Sequence, residues 1–329
     1  MNRKLLKSII AVLIGVGICF LCDNLGLIPS SYILIIEYIG IYCIFVLGVN
    51  LINGYMGIFS LAHAGVMAVG AYSSALVSMY VFHSVYTFPI SILAGGMMGM
   101  VAGILLAFSS FKVSGDYLAI ITLGFSLIIK SIITNWNFVG GARGIRPIPK
   151  YTSLIVIFIC LAIAIIVFKK FIKSKYGRSI LAIRDDAVAA KLVSVDMRRC
   201  KVVAFGLSSF LIGVSGSLIA HLLAYTNPSS YGYTSIVDGL IMVYLGGIGS
   251  ITGSIVGAVV WEILVQALRG IGTWRWVIGG FTLVLVMIFL PKGIFGNKEL
   301  TWSQIKGLMA YGKEKLGLSG TNRPKAKGK

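Results

Sequence analysis

Between Glu37 and Lys112 the chain runs through 74 consecutive residues without an Asp, Glu, Lys or Arg. As α-helix, that run would extend roughly 110 Å, more than three crossings of a hydrocarbon core about 30 Å thick. No soluble core is deep enough to bury it, so the chain must fold in lipid. There every backbone polar group has to be satisfied within protein, which leaves helices or a closed barrel. The apolar runs are long and continuous, whereas barrel strands alternate over about ten residues, so helices are expected. Composition agrees: the 329 residues are 57% hydrophobic and 12% charged, with a mean hydropathy of +0.94, outside globular usage.

The breaks between apolar runs place about ten spans, near 8–22, 31–49, 57–81, 87–111, 117–137, 152–168, 202–225, 234–248, 251–268 and 274–290. The expected fold is all-α, a polytopic transmembrane helical bundle. The stretch at 8–22 is read as a span and not as a cleavable leader. With ten spans, the amino terminus, the short loop at Lys112, the loop at 169–201 and the tail share one side and carry 23 Lys and Arg, against five on the other. The positive-inside rule makes the crowded side cytoplasmic, both termini included. A membrane domain over 1–296 is then followed by a basic tail over 297–329, with Trp302, Ile305 and Met309 on a short interfacial helix before a partly disordered end. The net charge of +19 lies mostly in these flanking positions, where topology and anionic lipid account for it, and it does not point to nucleic acid.

Catalytic signatures are missing. The sequence holds no phosphate-binding loop, no H-E-x-x-H and no nucleophile motif, and His63, His83 and His221 are far apart. No metal site and no bound cofactor are expected. The candidates for charge inside the spans are Asp116, Lys130, Asp238 and Glu262, few for an ion pathway. Active transport would draw its energy from an ion gradient or from a separate ATPase chain. Glycine, with forty residues, is ordered: Gly95, Gly99 and Gly103 form one four-residue series and Gly249, Gly253 and Gly257 another. Such rows let helices approach closely. Asn53 to Gly57 and Gly246 to Gly249 are candidates for helix interruptions of the paired kind that mark a transporter's substrate path.

Against this background Lys169 to Lys201 stands out, with thirteen of the chain's thirty-nine charged side chains in thirty-three residues. Its centre is rich in helix formers. At 100° per residue, Leu181, Val188, Leu192 and Val195 share about 60° of arc, a narrow apolar stripe bordered by Arg184 and Asp185. A helix with such an edge fits a groove on another protein, or packs on its own bundle.

This segment resembles the coupling loop of ABC importer permeases, specifically the branched-chain amino-acid permeases of the LivM type. The likeness extends over about 50–295. Gly54 to Tyr72 (GYMGIFSLAHAGVMAVGAY) resembles the family's S-L-G-H-A segment, with Ala62 in place of a glycine. Gly115 to Ile120 with Thr122-Leu123-Gly124, Gly140-Gly141 with Gly144-Ile145, Gly246 to Ser250, and Pro291 to Ile294 follow in family order. Leu127 stands where relatives carry an acidic residue, so Lys130 needs another partner.

The resemblance implies an ATP-driven importer of branched-chain amino acids, working by alternating access. Its partners would be a second, LivH-like permease, two cytoplasmic ABC ATPase subunits that bind the ATP, and an extracytoplasmic amino-acid-binding protein. It places the ATPase contact on Gly177, Arg178, Ala182, Ile183, Arg184, Asp185, Asp186, Ala189, Ala190 and Leu192. Candidates for the translocation path are Asn53, Ser60, His63 and Tyr117. Permeases for urea, amides, sugars or nucleosides, a stand-alone ion-coupled carrier and a membrane-embedded enzyme built on His63, His83 and Asp116 are the competing readings.

Overall fold

The computed structural model describes residues 29–81, 84–111, 113, 115–272 and 274–289. The stretch at 8–22, Lys112, His83 and the tail lie outside the described residues. Within them, eleven α-helices form a bundle: α1 (Ser30–Asn50), α2 (His63–Leu76), α3 (Phe88–Ser109), α4 (Asp116–Asn135), α5 (Leu154–Lys173), α6 (Lys175–Asp185), α7 (Ala187–Leu192), α8 (Met197–Leu223), α9 (Tyr233–Gly246), α10 (Ile251–Ala267) and α11 (Trp274–Phe289). The only β pairing among them is an isolated bridge between Ile145 and Thr226.

Seven helical stretches among the described residues are long and apolar enough to cross a membrane. The expected span near 234–248 is a shorter helix of 14 residues, about 21 Å. It stops because Gly247 takes φ 129 and Gly249 φ 78, conformations that glycine reaches without the Cβ penalty. Ser250 then caps α10 by accepting from the Gly253 amide at 3.1 Å. The last expected span is likewise short, an apolar core over Val277–Val286.

The bundle is organised around α8, which is the most enclosed of the seven crossing helices and packs against α1, α2, α3 and α6. Its sequence explains this role. Ser208, Ser209, Gly213, Ser215, Gly216 and Ser217 are all buried, and small residues allow backbones to approach closely. The expected row on α3 faces it: a Cβ on Gly99 would lie 2.7 Å from the Ser209 carbonyl oxygen. Polar links are sparse, as in Ser208 Oγ donating to the Gly48 carbonyl at 2.7 Å and Thr152 to Leu218 at 3.0 Å. At about 0.6 kcal/mol each in a membrane, they specify register while shape complementarity supplies most of the packing energy. In the other glycine row Gly253 and Gly257 pack against α9 near Gly246, while Gly249 belongs to the turn.

Away from the α6–α7 end, the loops form a small cap. Ile145 and Thr226 pair, the Ile148 amide donates to Ala224 at 3.1 Å, and the Arg146 guanidinium lies 3.9 Å above the Tyr225 ring.

Candidate functional site

The feature that departs most from regular helix packing is the passage from α1 to α2. After Asn50 the helix widens into a π turn, Leu51–Tyr55. Residues 56–62 then have no regular structure, although Met56, Ser60 and Ala62 are buried. Irregular backbone inside a bundle survives only where its amides and carbonyls find partners. Here side chains supply several of them, alongside backbone bonds from the Met56 and Ile58 amides to Leu51 and Ile52. Asn53 Oδ1 accepts from the Ser60 amide at 3.1 Å, and its Nδ2 faces the Ser60 carbonyl at 3.3 Å. Across the bundle on α4, Thr122 accepts from the Leu61 amide at 2.9 Å, and Ser126 donates to the Leu61 carbonyl at 3.1 Å while accepting from the Gly65 amide. Ala62 occupies its position without strain, because its φ of −78 suits any L-residue.

The second interruption lies directly against the first. The fully buried Asn50 donates to the Ser250 carbonyl at 3.1 Å and to Ser254 Oγ at 2.6 Å, and accepts from the Gly249 amide at 3.0 Å. A single amide thus bonds the end of α1 to the start of α10. Asn53 to Gly57 and Gly246 to Gly249 interrupt helices as the sequence suggested, and they do so side by side.

Three candidate path residues meet here. Asn53, Ser60 and His63 line one cavity, together with Ser208, Ser209 and Phe205, of about 20 Å³. That is room for about one water molecule. His63 is buried, bonds the Ile236 carbonyl at 3.0 Å through Nε2, and sets its ring edge-on to Phe45. Tyr117 is elsewhere: it is 74% exposed on the first turn of α4. It begins a line with Gly124 and Ser131 at seven-residue spacing, continued one turn later by the exposed Asn135. Over their middle turns the exposed faces of α3 and α5 are apolar in comparison, with Leu93, Met97, Val101 and Leu105 on one and Ile155, Ile159, Ile163 and Val167 on the other.

Sequence reasoning missed Asn50, Thr122 and Ser126. The last two, four residues apart, share one face of α4, a spacing visible beforehand without anything to say what that face would meet.

The charged segment forms two helices where the arc of apolar residues suggested one. Asp186 adopts φ −155 and accepts from the Val188 and Ala189 amides at 2.8 and 3.0 Å. It serves as the N-cap of α7 and so ends α6. The break splits the expected stripe: Leu181 packs against the bundle core and Val195 against a smaller buried cluster, whereas Val188 and Leu192 are 72% and 81% exposed, beside Val193 at 73%. The contact candidates divide accordingly. Gly177, Ile183 and Ala190 are buried, Ala182 and Arg184 are half-buried, and Arg178, Asp185, Asp186, Ala189 and Leu192 face outward. Gly177 is fixed by closeness, since a Cβ there would come within 2.5 Å of Ile172 Cα. That approach folds α6 back beneath α5.

Residues 31–290 match the family described as the permease component of the branched-chain amino acid transport system. The high-affinity branched-chain amino acid transport system permease protein LivM of Escherichia coli K12 is 29% identical, over 81% of this chain and 69% of its own length. LivH of Salmonella typhimurium is 23% identical, over 79% of this chain and 92% of its own. A probable LivM of Methanocaldococcus jannaschii is also 23% identical, with 83% and 95% covered. No solved structure matches the chain.

Proposed function

The chain belongs to the permease family of the branched-chain amino acid transport systems, and from that premise we propose that it is one membrane-spanning subunit of an ATP-driven importer for leucine, isoleucine and valine. The observation that carries the reading is the α6–α7 hairpin. It projects an apolar edge of Val188, Leu192 and Val193, flanked by Asp185, Asp186 and Arg178, from helices of 11 and 6 residues, too short to cross a membrane. An exposed greasy edge rimmed by charge fits a groove on a soluble partner. That partner is a pair of ATPase subunits, which hold the nucleotide, so this chain needs no cofactor of its own. The excess of Lys and Arg on the hairpin's side of the chain supports a cytoplasmic location for this end, in a bacterial-type inner membrane.

A second, LivH-like permease chain meets the open line of α4. Tyr117, Gly124, Ser131 and Asn135 favour protein or water over lipid, and the path runs between the two chains along this line. The Asn53, Ser60 and His63 cluster belongs to the moving part of the wall. With room for about one water, its cavity does not admit an amino acid, in keeping with alternating access in which substrate space opens only transiently. An extracytoplasmic binding protein delivers the substrate, and ATP shifts the equilibrium between states through its differential affinity for them.

The test is reconstitution of the four-subunit complex with its binding protein in proteoliposomes, read by radiolabelled leucine uptake and ATPase co-purification. Leu192→Asp should insert normally yet reduce ATPase recovery and uptake about tenfold. Unchanged recovery would remove the docking surface. Uptake of leucine by this chain alone would replace the importer reading with a self-sufficient carrier.

A further inference from the structure

Arg184 lies within the charged segment but does not behave as a docking residue. Its side chain is 25% exposed, against 78% for the neighbouring Asp185. From the last turn of α6 it reaches into the bundle, where Nη1 donates to the Gly54 carbonyl at 2.9 Å. That carbonyl belongs to the π turn closing α1. The same Nη1 lies 2.8 Å from where a Cβ on Gly249 would sit, and Arg184 Cγ lies 2.8 Å from where one on Gly57 would sit. A single guanidinium therefore packs against both interrupted stretches, at the point where Asn50 bonds them together. Any side chain at Gly57 or Gly249 would displace it.

We propose that Arg184 is the positioning residue through which movement of the coupling hairpin reaches the translocation path. The inference rests on the importer reading. Its rigid part is the join of α6 to the bundle, fixed by Gly177 beneath α5. Its yielding part is the irregular stretch 56–62, which lacks a helical ladder and leads directly to Ser60 and His63. A displacement of α6 is thereby delivered to the Gly54 carbonyl and to the Gly247–Ser250 turn together, so the two interruptions shift as a pair. Arginine suits this role: its planar fork keeps its charge and presents several donors in fixed directions, so it can hold the Gly54 carbonyl while lying against Gly249, which lysine's single flexible ammonium does less well.

The experiment compares Arg184→Gln, Arg184→Lys and Leu192→Asp in the reconstituted complex, measuring ATPase recovery, ATP hydrolysis stimulated by the binding protein, and leucine uptake. The quantity read is leucine moved per ATP hydrolysed. For Arg184→Gln the expectation is full ATPase recovery with that ratio down about tenfold, equivalent to about 1.4 kcal/mol, and partial restoration in Arg184→Lys. Loss of ATPase recovery in Arg184→Gln would make Arg184 a docking residue and overturn the proposal. So would a proportional fall of hydrolysis and uptake, the pattern of a merely structural side chain, or an unchanged ratio. If the unaltered chain recovers no ATPase, the importer reading itself fails and this inference with it. Failure of Leu192→Asp alone to release the ATPase would touch the docking surface and leave the Arg184 ratio to decide the rest.

Discussion

At the scale of single residues, Asn50 has the clearest energetic signature. It is fully buried and bonded to Ser250, Ser254 and Gly249. Asn50→Ala would leave the Gly249 amide without that acceptor and the Ser250 carbonyl without that donor, costing about 2–4 kcal/mol when the lost bonds and the unsatisfied groups are combined. A drop of several degrees in the detergent melting temperature checks it. Tyr225 offers a pH test. The Arg146 guanidinium against its ring and the hydrogen bond from the Asn227 amide lower the phenol below its ordinary range. Because the folded value is the lower one, ionisation favours the folded state only in the alkaline range, an effect lost as pH falls through the folded value, so stability near neutrality is untouched. Arg146→Gln should move the phenolate absorbance transition upward. Of these residues, the sequence singled out Asn53, Ser60 and His63 as polar groups in apolar surroundings. It could not single out Asn50, whose significance lies in a turn two hundred residues away, nor assign Arg184 to the interior, since a charged residue in a charged loop reads as surface.

At the scale of elements, glycine spacing was legible because close helix approach leaves a four-residue signature. Its strength varies by position, however. Gly99→Ala on α3 should destabilise by about 1–3 kcal/mol through overpacking, since the new Cβ meets Ser209 and Gly213 backbone. Gly124→Ala on α4 meets nothing within 4 Å and should be neutral or up to about 1 kcal/mol stabilising in the isolated subunit. Helical circular dichroism melts of the two variants would separate packing from propensity. Asp186→Ala removes the cap of α7, worth about 1 kcal/mol, and should raise amide exchange over 187–192 without altering the bundle. The break between α6 and α7 escaped the sequence because both flanks favour helix and the apolar arc continues across it. Only the backbone at Asp186 tells the two arrangements apart.

At the scale of the whole molecule, the uncharged run announced a helical membrane protein, and most span positions followed from the breaks between apolar runs along the chain. What the pattern could not give is the seating of the spans, since uniformly apolar helices carry little information about which face meets which neighbour. The orientation is testable in a cysteine-free background. Val188→Cys should react with an impermeant maleimide only in inside-out vesicles, and Arg146→Cys only in right-side-out ones; the reverse pattern would invert the topology.

The irregular stretch 56–62 also bears on how the chain is made. The Leu61 amide is satisfied by Thr122, 61 residues further along, and Gly99 on α3 packs against Ser209 and Gly213 of the much later α8. Ribosomes deliver spans in order, but these cannot be seated in that order. The segment between α1 and α2 must stay sheltered at the insertion site until α4 is threaded, and the glycine face of α3 until α8 arrives, so integration of the early spans is completed by the late ones.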